Sequence, residues 1–154
     1  MTVVIRGKYE EPLILAVEQY FRDMNYQTYL HAQLNISWSN IISDVDLLAI
    51  KGNDIIAVEV KSKKDIFTNA FKQLEKIVPF IDKAFIATDD EIVANKYRKI
   101  NLPYGILYID LIYGDIVTKK NAKKYKEEYS VQHLCSLRKC CLQELAREWK
   151  IAPF

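Results

Sequence analysis

A chain of 154 residues is long enough to bury a real core and short enough to form one domain. Half of it is apolar, 27% is charged and the formal net charge is only +2, so composition alone marks a soluble globular protein and does not announce a nucleic-acid binder. No apolar run approaches the ~20 residues of a membrane helix, and "MTVVIRGKYEE" meets charge too early for a signal peptide.

From the N-terminus, "YEEPLILAVEQYFRDMNY" (9–26) opens with acids and a proline, and Leu13, Ala16, Val17, Tyr20, Phe21 and Met24 recur at the helical period. "QTYLHAQLNI" (27–36) reads as a strand and "WSNIIS" (38–43) as a loop. Two apolar strands meet in "DVDLLAIKGNDIIAVEVKSK" (44–63), and "DIFTNAFKQLEKIVPFI" (65–81) is helical. "KAFIAT" (83–88) is a short buried strand. "DDEIVANKYRKI" (89–100) is a helix with acids first and bases last, as the helix dipole favours. "YGILYIDLI" (104–112) is a strand onto which "GDIVT" pairs back, and "VQHLCSLRKCCLQELAREWK" (131–150) is a closing helix. The order implies an α/β fold, a central mixed β-sheet with helices on both faces. We expect one domain over 1–154, with a core at about 8–118 and a helical extension at about 119–154.

The central hairpin carries charges where its pattern calls for core. Gly52-Asn53 favours a tight turn. Folding about that pair opposes Ile50 with Ile55, Leu48 with Ala57, and Asp46 with Glu59. Alternation puts Lys61 on the face of Glu59, and Val45, Leu47, Ala49, Ile56, Val58 and Val60 on the other. Like charges opposed across a strand pair repel, so the two acids must shift a pKa or share a cation. Oxygen ligands suit a hard divalent ion such as Mg²⁺. Lys61 cannot ligate while protonated, but it can orient a water or stabilise a phosphate. The alternative is a buried salt bridge in which Asp46 and Glu59 share Lys61, weak in itself because desolvation offsets the attraction.

Asp46, then Glu59-Val60-Lys61 closing the next strand, resembles the signature of the PD-(D/E)XK nuclease superfamily, which includes restriction endonucleases and archaeal Holliday junction resolvases. The resemblance covers about residues 8–90. It implies a restriction-endonuclease-like core of order αβββαβ, here followed by an αβα extension. Asp46 and Glu59 would be metal ligands with the backbone carbonyl of Val60, Lys61 would be the catalytic lysine, and Mg²⁺ the cofactor, with Mn²⁺ able to substitute. Valine replaces the proline of the family name in "DVD", and Asp44 is the alternative first acid. Resolvases add a helix glutamate, for which Glu10 fits, with Glu11 and Glu18 as competitors. Some branches use a glutamine at the place of Gln73, and resolvases a serine near Ser37 and Ser39.

The lysines at 119–126 read as a solvated face that, on a nuclease, also suits phosphate contact. Lys63, Lys64, Lys119, Lys120, Lys123 and Lys124 are the nucleic-acid-binding candidates. No base-reading module is evident, which points to DNA recognised by structure or ends, and a homodimer is compatible with that. His133, Cys135, Cys140 and Cys141 match no usual zinc spacing, and three cysteines are too few for a four-cysteine iron–sulfur cluster. Crowded and odd in number, they suggest a reducing, cytoplasmic setting. The expectation is a Mg²⁺-dependent DNA nuclease, with an inactive or partner-dependent nuclease-fold DNA-binding protein as the alternative.

Overall fold

The computed structural model describes residues 9–35 and 41–124. The expected closing helix at 131–150 and its cysteines lie outside the described residues. The elements run α1 (Glu11–Asp23), β1 (Gln27–Asn35), β2 (Ile41–Lys51), β3 (Asp54–Lys61), α2 (Asn69–Ile77), β4 (Lys83–Thr88), α3 (Glu91–Tyr97), β5 (Gly105–Asp110) and β6 (Asp115–Lys120), with a short 3-10 turn at Val78–Phe80. The six strands form one mixed sheet in chain order. β1, β2 and β3 pair antiparallel, β3–β4 and β4–β5 parallel, and β5–β6 antiparallel. The chain is therefore an α/β protein.

Each sheet face is covered because each helix has one apolar stripe. Leu13, Ile14, Val17 and Phe21 of α1 pack on Leu47, Ala49, Ile56, Val58, Val60, Ala87, Leu107 and Ile109. Ala70, Leu74 and Ile77 of α2 pack on the other face, against Val45, Ala57, Ala84 and Ile86. Each fully buried Val, Leu, Ile or Phe among them contributes about 1.5–3 kcal/mol. At Gly105 a Cβ would run into the Phe85 ring and the backbone of Ala122, so β5 can enter the sheet there only as glycine.

Three expectations need correction. β2 begins at Ile41, inside the expected loop, because 41–45 pair with β1. The expected helix at 65–81 starts only at Asn69: Asp65 is tied back to Ser62 and is not helical, and Pro79 forces the 3-10 turn at the other end. β6 extends through Lys120, so Lys119 and Lys120 belong to the sheet and not to a helical extension.

Candidate active site

The hairpin turn takes the expected register. Lys51 pairs with Asp54, Ile50 with Ile55, Leu48 with Ala57 and Leu47 with Val58. Gly52 alone adopts a positive φ, +60°, which matches the turn type with glycine at its first central position.

Past Leu47 the backbone ladder stops and side chains continue it. Asp46 Oδ2 accepts the Val60 N–H at 2.9 Å, and the Glu59 carboxyl accepts the Asp46 N–H while also hydrogen-bonding the Asp46 carboxyl. β3 meanwhile pairs with β4 through Glu59, Val60 and Lys61.

The strand alternation also breaks here. Leu47 and Ala49 face α1, yet Val45 packs with α2, so Asp46 sits at a change of phase. That corrects the expectation that Val45, Leu47 and Ala49 share a face. Its counterpart on β1 is His31, which lies between the pairs Leu30↔Leu47 and Ala32↔Val45. His31 takes φ +49°, a strained backbone for a residue with a Cβ. Its Nε2 is 3.3 Å from Glu11 Oε2, and its Nδ1 is buried without a partner.

Burial makes this cluster unusual. Asp46 is 3% exposed and Glu59 1%. Burial first, and then the neighbouring Asp46 charge, push the Glu59 carboxyl up to about 9, against a smaller opposing pull from Lys61. Glu59 Oε1 is buried with no hydrogen-bond partner. Because Val58 and Val60 face α1, the Glu59 side chain lies on the α2 side of the sheet.

Glu10 joins the cluster from α1. It occupies the N-cap position but makes no side-chain cap. Its carboxyl is pushed up to about 7 by burial, then by a hydrogen bond to Asp65 and the charges of Asp65 and Asp46, with Lys61 opposing. The competing glutamates are engaged elsewhere: Glu11 with His31, Glu18 with Thr28 and Arg22. Asp65, unnoticed in the sequence because it read as a helix start, is held by the Ser62 N–H and Oγ at 2.8 and 2.9 Å. Burial alone would raise the Asp65 carboxyl, but its hydrogen bonds to Glu10 and Ser62 and the charge of Lys61 carry it below the usual range.

The other sequence candidates fall into two groups. Lys63 and Lys64 lie exposed on the turn after β3, beside the acids. The Lys63 N–H is bonded to Asp89, and the Lys64 ammonium stands 4.5 Å over the Tyr9 ring. Gln73 is on α2 with its Oε1 buried and unpartnered, and Asp44 is exposed. Lys119 reaches Glu91 at 3.4 Å. Lys120 is spent on the carbonyls of Ile100 and Leu102 at 2.7 and 2.6 Å. Lys123 is exposed and is anchored by its N–H to the Pro103 carbonyl. Lys124 reaches Asp54 at the hairpin turn, five residues or roughly 17 Å from Glu59 along β3. The structure does not bring Lys120 and Lys124 to the acids. Ser37 and Ser39 lie outside the described residues.

Among the described residues no three His, Cys, Asp or Glu side chains form a ready-made metal cage. Two carboxylates and a carbonyl nonetheless fit a magnesium-type ion, which binds through one or two carboxylates and keeps several waters. The N–H and C=O of one strand residue point the same way, so the Val60 carbonyl faces the Asp46 side, as its N–H does. The unfilled Glu59 Oε1 is an oxygen such an ion would satisfy.

Fold and cluster together define an α/β protein whose buried acids gather where its parallel strands begin to end. No protein-family model matches the chain, and no curated protein matches it. Among solved structures, it is similar to a protein of unknown function, AF1548, with a TM-score of 0.39 and 9% identity over 49% of this chain and 45% of that one. It is also similar to an XisH family protein from Nostoc punctiforme, with a TM-score of 0.46 and 15% identity over 70% of this chain and 98% of that one. The chain thus spans less than half the length of the AF1548 protein.

Proposed function

We propose that the protein is a metal-dependent nuclease of the PD-(D/E)XK type, hydrolysing DNA phosphodiesters on a restriction-endonuclease-like core. The observation that carries this reading is the Asp46–Glu59 pair, buried, hydrogen-bonded and with Glu59 Oε1 left unfilled beside Lys61. Asp46, Glu59 and the Val60 carbonyl would hold Mg²⁺, or Mn²⁺ in its place. Such an ion, when bound, supplies Lewis-acid stabilisation and a more acidic water.

The chain's own groups do the rest. The Lys61 ammonium, whose charge reaches Glu59, Glu10 and Asp65, holds negative charge growing on the phosphate. Glu10, its carboxyl near neutrality, takes up or releases a proton at working pH. Lys63 and Lys64 position the phosphate backbone without reading bases.

Incubating single-stranded, duplex and four-way-junction DNA with Mg²⁺ or Mn²⁺ tests the reading. Wild type should cleave at least one of them, and Lys61→Ala and Glu59→Gln should not; equal inertness of all three proteins on every substrate refutes it. The second reading is an inactive or partner-dependent nuclease-fold DNA-binding protein. That protein would bind the same panel without cutting it.

A further inference from the structure

Large apolar side chains stand in solvent at the same edge of the sheet. Ile66 follows β3, Ile92 lies in α3 just after β4, and Leu111, Ile112 and Tyr113 make the turn between β5 and β6. Their exposures run from 56% for Leu111 to 87% for Ile112. The parallel register, Lys61 beside Thr88 and Thr88 beside Tyr108, brings all three connections out together.

The β5–β6 turn is held in shape. Asp110 Oδ1 accepts the N–H groups of Ile112 and Tyr113 at 3.0 and 3.3 Å, Gly114 takes φ +72°, and Asp110 pairs with Asp115 to close it. Three consecutive hydrophobic side chains are thus presented outward on a fixed loop, which folding alone does not require.

Charge indicates what covers them. Residues 105–118 contain no lysine or arginine, and Asp110 and Asp115 flank the tip. A phosphate backbone would be repelled there, whereas base faces are uncharged, stack on tyrosine and admit aliphatic wedges. Of the cations at this edge, Lys119 is paired with Glu91 at the head of α3, and Lys63 and Lys64 lie exposed on the neighbouring turn. The edge therefore divides into a cationic part suited to backbone and an apolar part suited to bases.

We infer that the Leu111–Ile112–Tyr113 tip engages unstacked bases, so that the substrate class is DNA with unpaired or distorted bases beside the cut. This rests on the nuclease reading above. Binding in Ca²⁺ would be measured for single-stranded, gapped and fully paired DNA, with 2-aminopurine at the gap reporting unstacking. Wild type should favour the first two and raise the 2-aminopurine emission. Leu111→Ser/Ile112→Ser/Tyr113→Ser should lose about tenfold or more in affinity for them, lose the emission change, and bind paired DNA as before. Tyr113→Ser alone should weaken binding and Tyr113→Phe restore it, because stacking needs the ring and not the hydroxyl. An unchanged melting temperature would show that the variants fold.

If the triple variant binds every DNA as wild type does while cleavage persists, the tip inference fails and the nuclease reading stands. If wild type binds no DNA, both fail. If the triple variant only converts a dimer to a monomer, the tip is a contact between copies and the inference fails.

Discussion

The two ends of the β2–β3 hairpin use charge in opposite ways. At the turn, Lys51 pairs with Asp54 in regular register, Gly52 supplies the one positive φ, and the Lys124–Asp54 ion pair is exposed at 3.5 Å. At the far end the ladder is continued by side chains, the acids are 1–3% exposed, and one oxygen has no partner. The turn end specifies register at little cost. The acid end spends stability on two buried carboxyls that cannot both ionise cheaply, so that Glu59 keeps its proton up to about 9.

Breaking the acid end should have the largest effect. Asp46→Asn or Glu59→Gln should lower cleavage by more than the roughly 10–100-fold that losing an outer-shell partner costs, measured as nicking rate in Mg²⁺. In metal-free buffer, Glu59→Gln should nevertheless melt higher than wild type at pH 8, because it need not take up the proton that Glu59, held at about 9 in the fold, takes up on folding.

The pH dependence sharpens the contrast. Glu59 and Glu10 hold their protons in the folded state to about 9 and about 7, above the ordinary 4.5. The folded chain then binds more protons than the unfolded one between those values, so stability falls as pH rises. The metal-free melting temperature should drop by roughly 4 °C per unit between pH 7 and pH 9, where Glu59 alone holds its proton, and more steeply between pH 5 and pH 7, where Glu10 adds to it. Glu59→Gln should flatten the upper part of that slope. A flat wild-type profile would contradict it.

Changes at the turn end should be small and leave cleavage intact. Gly52→Ala has open space around it but must adopt φ +60°, and should cost about 1–2 kcal/mol by denaturant melts. Lys124→Ala breaks an exposed pair and should cost less than about 0.5 kcal/mol.

Much of this contrast was legible in the residues. Gly52-Asn53 with apolar alternation on both sides located the hairpin, and the order of helices and strands along the chain followed from their periods, while the order of strands within the sheet did not. Asp46, Glu59, Lys61 and Glu10, singled out from the chain, lie together in one cluster. What the pattern could not show depends on contacts distant in sequence. The phase change at Asp46 comes from β1, where His31 leaves the extended conformation, and from Val60, whose N–H takes a side-chain partner. Asp65 looked like a helix start because acids favour that place, and only the Ser62 hydrogen bonds reveal its other use. The lysines at 119–124 read as one patch, yet Lys120 caps carbonyls and Lys124 serves the hairpin turn.

The central claim, that Asp46 and Glu59 exchange a held proton for a divalent cation, is tested most directly by calorimetry. Mn²⁺ would be titrated into the protein at pH 7 in buffers of different ionisation enthalpy. Binding should be saturable and release about one proton per ion, with both the binding and the release lost in Glu59→Gln. No binding by wild type, or binding without proton release that survives in Glu59→Gln, would contradict it.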